Sequence, residues 1–343
     1  MRPGVRVESS VRRVIGRVLW LALSGAGLGG GTSCQDEFSL GSWRQLGGAT
    51  STAGAGASTG GARAGAGGVE GEGGSSGAAG AIDRLCGVDT EFSELNQAGP
   101  AIKATQVTTS WIWPDVHDSF DGEIEIESEF TSDAYFWAHQ FWFDAGSGGF
   151  LGLQARGAFQ RDINSKIEIT NMVVFWINGS TTFRAEPGDA PDSDIRIGSS
   201  TDASGSWTTI NVKYPFLACH KYRLRVSRDE AVGDSVYWAA SVTEVDSGTT
   251  LKVGRIAVPA VWGRLDTRSQ MWSARLAEIL RPASSCSDLE PASAFFGLPS
   301  ANEGAMRPSS KTTGVSSADL GCPSSRWGET STGIRHQLAV PRP

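Results

Sequence analysis

The sequence predicts an all-β protein: an antiparallel β-sandwich of jelly-roll-like form, preceded by a disordered linker. Runs of five to nine residues rich in Val, Ile, Thr and aromatic side chains alternate with Gly, Asp, Asn and Ser clusters. Many short apolar runs separated by turn residues are typical of sandwiches and jelly rolls. Only one short helix is expected, around residues 273–280.

The candidate strands show the period-two alternation of a half-buried sheet. In 221–227, Tyr222, Leu224 and Val226 alternate with Arg223 and Arg225. The predicted strands cover residues 104–113, 123–130, 134–143, 150–154, 167–177, 207–212, 221–227, 235–244 and 251–258.

The N-terminus has the pattern of an export signal, assigned to residues 1–33. Five arginines precede the apolar stretch 18–28, which is too short to span a bilayer as an ordinary helix. Cys34 follows small residues in GGGTSC, which resembles a bacterial lipobox except that Gly31 occupies the usual leucine position. We expect lipidation of Cys34; the alternative is plain secretion with an unpaired thiol. The predicted location is therefore the outer membrane or cell surface, or the extracellular space, with membrane contact through the lipid anchor only.

Composition divides the rest of the chain. After a lipoprotein-like N-terminus at 34–46, residues 47–81 are almost entirely Gly, Ala, Ser and Thr, which predicts a flexible linker. Residues 82–282 are assigned to the sandwich, and 283–343 to a small disulfide-linked appendage and tail. The net charge of -7 and the lack of a basic patch in the body of the chain argue against a nucleic-acid partner.

Four further cysteines suggest two disulfides in an exported chain. Three connectivities are possible, and buried free thiols are an alternative. The favoured set is Cys86–Cys219 with Cys286–Cys322, and the lack of CxxC spacing argues against a metal site.

Residues 134–154 carry an unusual aromatic pattern, AYFWAHQFWF followed by GGFLGLQ. With VVFWIN at 173–178, CHKYRLRVSRD at 219–229 and YWAASVTE at 237–244, the chain resembles the domain-of-unknown-function 3472 family of secreted bacterial proteins. The resemblance implies an extracellular β-rich domain, often found beside carbohydrate-associated modules. It supplies no catalytic residues, and Asn178 departs from it where an acidic residue is expected.

Both faces of a strand through 135–143 would be aromatic, so part of this strand must be core. One interpretation places His139 in a buried hydrogen bond. The other places aromatic rings and a few polar groups in a concave sugar-binding site. The candidate ligand-binding residues are Trp137, His139, Gln140, Trp142, Gln154, Trp176 and Asn178. Leu151 and Leu153 are expected in the core, with Gln154 on the opposite side.

The acidic residues give weaker evidence for a functional site. Residues 121–129 alternate acidic and apolar side chains, which indicates a solvated face that discourages edge pairing. Asp189, Asp192 and Asp194 could contact calcium, but their loop lacks the glycine and final glutamate of an EF-hand. We therefore predict no metal site and no cofactor.

Three functions remain open. The first is a cell-surface module that binds a carbohydrate or cell-envelope polymer. The second is a carbohydrate-active hydrolase with unidentified carboxylates, which needs two carboxylates at a set separation. The third is a structural or adhesion module without a small ligand. The four scattered histidines and the absence of a GxSxG motif give no support for nucleophilic catalysis, so the catalytic residues are unknown.

Overall fold

The computed structural model shows a sandwich of two antiparallel sheets, which confirms the predicted fold class. It describes Cys86 and residues 106–131, 134–162, 164–179, 184–202, 205–275, 289–315 and 325–339. These residues form seventeen strands and two single-turn 3-10 helices, and no α-helix lies among them. None of their helices is long and apolar enough to cross a membrane.

The eight-stranded sheet has the order β15-β1-β12-β3-β4-β5-β8-β7. Its central strands bring the conspicuous aromatic segments side by side, since β3 pairs with β4 and β4 with β5. Its strands are β1 (Gln106–Ile112), β3 (Tyr135–Phe143), β4 (Gly148–Phe159), β5 (Glu168–Asn178), β7 (Ile195–Asp202), β8 (Gly205–Lys213), β12 (Leu265–Arg275) and β15 (Ser310–Val315).

The nine-stranded sheet has the order β16-β17-β13-β2-β9-β10-β11-β6, with β14 paired to β2 at one side. Its strands are β2 (Ser119–Ile126), β6 (Ala185–Pro187), β9 (Lys221–Val232), β10 (Ser235–Glu244), β11 (Thr250–Pro259), β13 (Ala292–Gly297), β14 (Ser300–Ala301), β16 (Arg326–Glu329) and β17 (Gly333–Leu338).

The main core lies between the sheets, because alternate residues of each strand face the opposite sheet. On the eight-stranded sheet, the inward residues of β4 include Leu151 and Leu153, as the sequence predicted. On the nine-stranded sheet, Tyr222, Leu224 and Val226 of β9 face the same core.

The outer face of the nine-stranded sheet is a ladder of ion pairs. Acidic residues of β2 meet basic residues of β9 in register. Arg223 lies 2.8 Å from Glu123, Arg225 lies 3.4 Å from Asp121, and Lys221 lies 3.8 Å from Glu125. The predicted solvated face is therefore present at residues 121–125, with its charges balanced across the strands.

Glu127 departs from this pattern and is buried against Arg335 of β17. The guanidinium donates to both carboxylate oxygens, with Nη2 2.6 Å from Oε1 and Nε 2.8 Å from Oε2. Ser293 donates a hydrogen bond to the same carboxylate. This paired and hydrogen-bonded geometry is what a buried carboxylate requires.

A second polar group inside the sandwich is His336, which is fully buried. Its Nε2 lies 2.8 Å from the Thr109 hydroxyl, and its Nδ1 lies 3.0 Å from the Ser273 hydroxyl. A neutral imidazole can donate with one nitrogen and accept with the other, and the two hydroxyls can serve either role. The ring thus joins β17 to β1 and β12.

The C-terminal residues are part of the sandwich, which corrects the predicted boundary at 282. Strands β13, β16 and β17 extend the nine-stranded sheet, and β15 forms an edge of the eight-stranded one. Phe296, Ile334 and Leu338 belong to the main core. The short helix expected from residue 273 is also wrong in its described part, because 273–275 continue β12.

The disulfide Cys86–Cys219 is present, as predicted. It ties the beginning of the domain to the loop before β9. The second predicted pair, Cys286–Cys322, and the lipidation site Cys34 lie outside the described residues, as do the signal segment and the linker.

Candidate functional site

The seven candidate binding residues lie on two different faces of the eight-stranded sheet. Trp137 and His139 point into the core between the sheets. The register of β3, β4 and β5 places Gln140, Trp142, Gln154, Trp176 and Asn178 on the outer face. The predicted site is therefore divided between the main core and the outer face, and on the outer face Trp176 and Gln154 are buried.

His139 is a core residue that lines no groove. Its ring packs 5.6 Å from the ring of Phe120 and 6.1 Å from that of Phe296, both on the opposite sheet. Gly122 leaves space for it, because a Cβ there would lie 2.0 Å from the imidazole. Burial lowers the pKa of His139 to about 3, so the ring is neutral at physiological pH. Its Nε2 has no hydrogen-bond partner.

The outer face of the eight-stranded sheet carries a continuous array of five aromatic rings, which we call the ring array. It comprises Trp272, Phe136, Phe150, Trp176 and Trp207, one from each of β12, β3, β4, β5 and β8. Successive ring centroids are 5.1, 5.3, 5.3 and 5.2 Å apart. With neighbouring strands about 4.8 Å apart, the array extends across roughly 19 Å of the sheet.

The centre of the ring array is closed to solvent, whereas part of its border is open. Its five side chains are 1–7% exposed. Half-buried polar and aromatic side chains border it on the same face: Gln140, Trp142, Asn178 and Gln270. We call these four residues the rim. Asn178 is the cross-strand partner of Trp207, and Gln140 that of both Phe150 and Gln270, so the rim adjoins the rings directly.

Gln154 and Gly152 shape the centre of this face. Gln154 is buried. Gly152 has no room for a side chain, because a Cβ would lie 2.6 Å from the Trp137 carbonyl oxygen and 2.7 Å from the Phe136 ring. The glycine thus accommodates the Phe136 ring as well as the neighbouring backbone.

Three indole N–H groups of the ring array have no hydrogen-bond acceptor. They belong to Trp176, Trp207 and Trp272, and all three nitrogens are buried. A buried donor without an acceptor costs on the order of 1–3 kcal/mol. Such groups are uncommon in folded proteins. Trp111 and Trp238 of the main core have the same unpaired N–H, so the feature is shared by both faces of the eight-stranded sheet.

Several residues of the ring array were not singled out from the sequence. Trp207 lies in a predicted strand, but its proximity to Trp176 depends on the pairing of β5 with β8. Trp272 lies in β12, which was not predicted as a strand. Its cross-strand partner on β3 is Ala138, which lies more than 130 residues away in sequence. A pattern within one segment of the sequence cannot predict such a pairing.

Two of the three aspartates considered as a weak possibility for calcium contact lysines instead. Asp194 lies 3.6 Å from the Lys213 ammonium, and Asp189 lies 3.9 Å from that of Lys252. Asp192 is exposed in the short 3-10 helix Asp192–Asp194. Across the described parts of the chain, no group of three His, Cys, Asp or Glu residues could hold a metal ion.

No protein-family model matches the sequence, and no curated protein is similar to it. Among solved structures, the chain is similar to scytalido-glutamic peptidase, which was crystallised with a transition-state analogue inhibitor. The two share 12% identity over 71% of this chain and 98% of the peptidase, with a TM-score of 0.31. A likeness this distant supports no assignment of activity.

Proposed function

We propose that the outer face of the eight-stranded sheet binds a carbohydrate or cell-envelope polymer. The observation that carries this proposal is the ring array, with its half-buried rim and three unpaired indole N–H groups. Sugars combine apolar C–H faces with hydroxyl and carbonyl oxygens. A surface of rings bordered by amides suits both parts of such a ligand.

The rim is the point at which a sugar would enter. Trp142 is half-buried and offers a ring, while Gln140 and Asn178 each offer an amide that can donate and accept. A ligand oxygen that reached the Trp207 indole would supply the acceptor that this N–H lacks. The aromatic segments that resemble the secreted domain-of-unknown-function 3472 family contribute β3, β4 and β5 to this face.

Binding is better supported than hydrolysis at this face. Glycoside hydrolysis needs two carboxylates at a set separation. The four rim residues and the central Gln154 include no carboxylate. Glu168, an outer-face carboxylate at the start of β5, already pairs with Lys213 at 2.7 Å. We therefore make no proposal of catalysis.

Trp207→Phe and Trp142→Ala are expected to weaken glycan binding by about tenfold each, or about 1.4 kcal/mol. The first removes an unpaired N–H from the ring array and the second removes a ring from the rim. A glycan array with the full-length chain identifies ligands, and titration with the best ligand measures the change in affinity.

Trp238→Phe is the matched control. This residue also has a buried, unpaired indole N–H, but it lies in the main core, on the far side of the sheet from the ring array. Its substitution should leave affinity within twofold. Equal losses in all three variants, or no binding to any glycan, would contradict the proposal and favour a structural or adhesion module.

We also propose that the protein is exported and anchored through a lipid on Cys34. The supporting pattern is the arginine-rich start, the short apolar stretch and the segment rich in Gly, Ala, Ser and Thr that follows Cys34. Metabolic labelling with a clickable palmitate is expected to mark the wild-type chain and not Cys34→Ala. A label that survives this substitution would show that the lipid is attached elsewhere.

A further inference from the structure

Arg196 lies on the same outer face as the ring array, at its β7 edge. It pairs across the strands with Asn211 of β8, which in turn pairs with Val174 of β5. Val174 is buried in the same hydrophobic cluster as the ring array. Two residues further along β7, Gly198 faces the Trp207 ring, whose atoms lie 3.6 and 3.9 Å from the position of a glycine Cβ. Arg196 therefore flanks the Trp207 end of the array.

The guanidinium of Arg196 has no carboxylate partner among the described residues. It is half-buried, and this burial lowers its pKa below the ordinary value for arginine. Arginines on the nine-stranded sheet are paired: Arg223 with Glu123 and Arg255 with Glu186, at 2.8 and 2.7 Å. A partly desolvated cation that lacks a counter-charge is unfavourable, and an anion would offset this cost.

The three buried indole N–H groups of this face and the Arg196 guanidinium are all hydrogen-bond donors. An indole N–H and a guanidinium donate and cannot accept. They therefore select ligands rich in acceptor oxygens, and an anionic oxygen satisfies them best because charge-assisted hydrogen bonds are the strongest. The rim contributes amides and no negative charge that would repel such a ligand.

We infer that the glycan bound at this face is anionic, and that Arg196 contacts its acidic groups beside the Trp207 end of the ring array. This inference rests on the proposed glycan-binding function and specifies its ligand class. Carboxylates of uronate sugars and sulfate esters share the required chemistry. The protein as a whole has a net charge of -7, so attraction to a polyanion must come from a local site.

The test measures binding of the full-length chain to a panel of immobilised polymers. The probes are polygalacturonate, its methyl ester, alginate, dextran sulfate and neutral dextran. We expect polygalacturonate or alginate to bind at least tenfold more tightly than the methyl ester or dextran. Dextran sulfate separates the two anion sources: binding equal to that of the uronates supports recognition of either group, and weaker binding supports carboxylate recognition.

Arg196→Gln is expected to reduce binding to the anionic polymers at least tenfold. Arg223→Gln is the matched control, since it removes a paired arginine from the opposite sheet face and should change affinity less than twofold. Thermal unfolding of both variants verifies that the fold is retained. Rising salt should weaken wild-type binding more steeply than Arg196→Gln binding.

The outcomes separate this inference from the function on which it rests. Tight binding to neutral glycans alone, reduced by Trp207→Phe and unchanged by Arg196→Gln, would overturn the inference and keep the proposed function. Binding to no polymer of any kind would overturn both. Loss of binding to anionic polymers in Arg196→Gln and Arg223→Gln alike would indicate general charge attraction and would also overturn the inference.

Discussion

Replacing Glu127 with alanine is expected to lower the free energy of unfolding by about 3–5 kcal/mol, because it removes the carboxylate from a buried ion pair. The side chains of Glu127 and Arg335 are 9% and 7% exposed, so water cannot replace the lost partner effectively. Ser293 loses a hydrogen-bond acceptor in the same step. Chemical denaturation monitored by tryptophan fluorescence measures the change.

Glu123→Ala provides the matched control for this prediction. Glu123 pairs with Arg223 at a similar distance, 2.8 Å, but on the exposed face of the same sheet. Exposed pairs contribute about 0–1 kcal/mol. A double replacement, Glu127→Leu with Arg335→Met, should recover much of the stability lost in Glu127→Ala. Equal effects of the Glu123 and Glu127 substitutions would show that burial is not what makes the inner pair important.

Acidification from pH 7 to pH 5 is expected to lower the free energy of unfolding by about 4 kcal/mol through two buried histidines. Burial lowers the pKa of His139 and of His336 to about 3. Well above pH 6.5 both rings are neutral in the folded and unfolded states and contribute nothing. Below about pH 6.5 the unfolded chain binds protons that the folded state excludes, so each histidine lowers stability by about 2 kcal/mol at pH 5.

His139→Gln isolates one histidine from the rest of the acid response. The variant removes one titrating group, so its stability should fall by about 2 kcal/mol less than that of the wild type between pH 7 and pH 5. Stability measured by urea unfolding at several pH values gives this slope directly. A slope unchanged from wild type would mean that His139 takes up protons at the same pH in the folded and unfolded states.

The alternation of apolar and polar residues within single segments was enough to predict the β-sandwich and to tell, for several strands, which residues face the core. Alternation in 150–154 placed Leu151 and Leu153 in the core and Gln154 on the other side, and the register of β3 and β4 agrees. The same alternation showed that both faces of β3 are aromatic. It did not reveal which face meets the opposite sheet, because that depends on Phe120 and Phe296 packing around His139.

The C-terminal strands were not predicted from the sequence, for a physical reason. Strands β13 and β17 contain Ser293, Arg335 and His336, which belong to residue types that are usually not fully buried. These side chains are buried because Glu127, Thr109 and Ser273 satisfy them from other strands. A polar side chain can be buried when another side chain satisfies its hydrogen bonds. Here those partners lie 63 to 227 residues away in sequence, so no local pattern predicts them.

Candidate site residues could be found by residue type, but their grouping could not. The sequence identified Trp176, Asn178, Gln140, Trp142 and Gln154, all of which share the outer face. It also included Trp137 and His139, which alternation alone could not exclude. Arg196 was not predicted as a site residue from the sequence. An arginine without a carboxylate partner can be recognised only when its neighbours in the structure are known.

The strand order also determines when the protein can complete its fold during synthesis. Strand β2 is bordered by β9 on one side and β13 on the other, and β1 by β12 and β15. A nascent chain that has grown only to residue 260 therefore holds β1 with both edges unpaired and β2 with one. Pairings this distant make folding slow and leave strand edges open to other chains. Synthesis of strands β13 to β17, which complete both sheets, thus ends the period in which the nascent protein is most prone to aggregate.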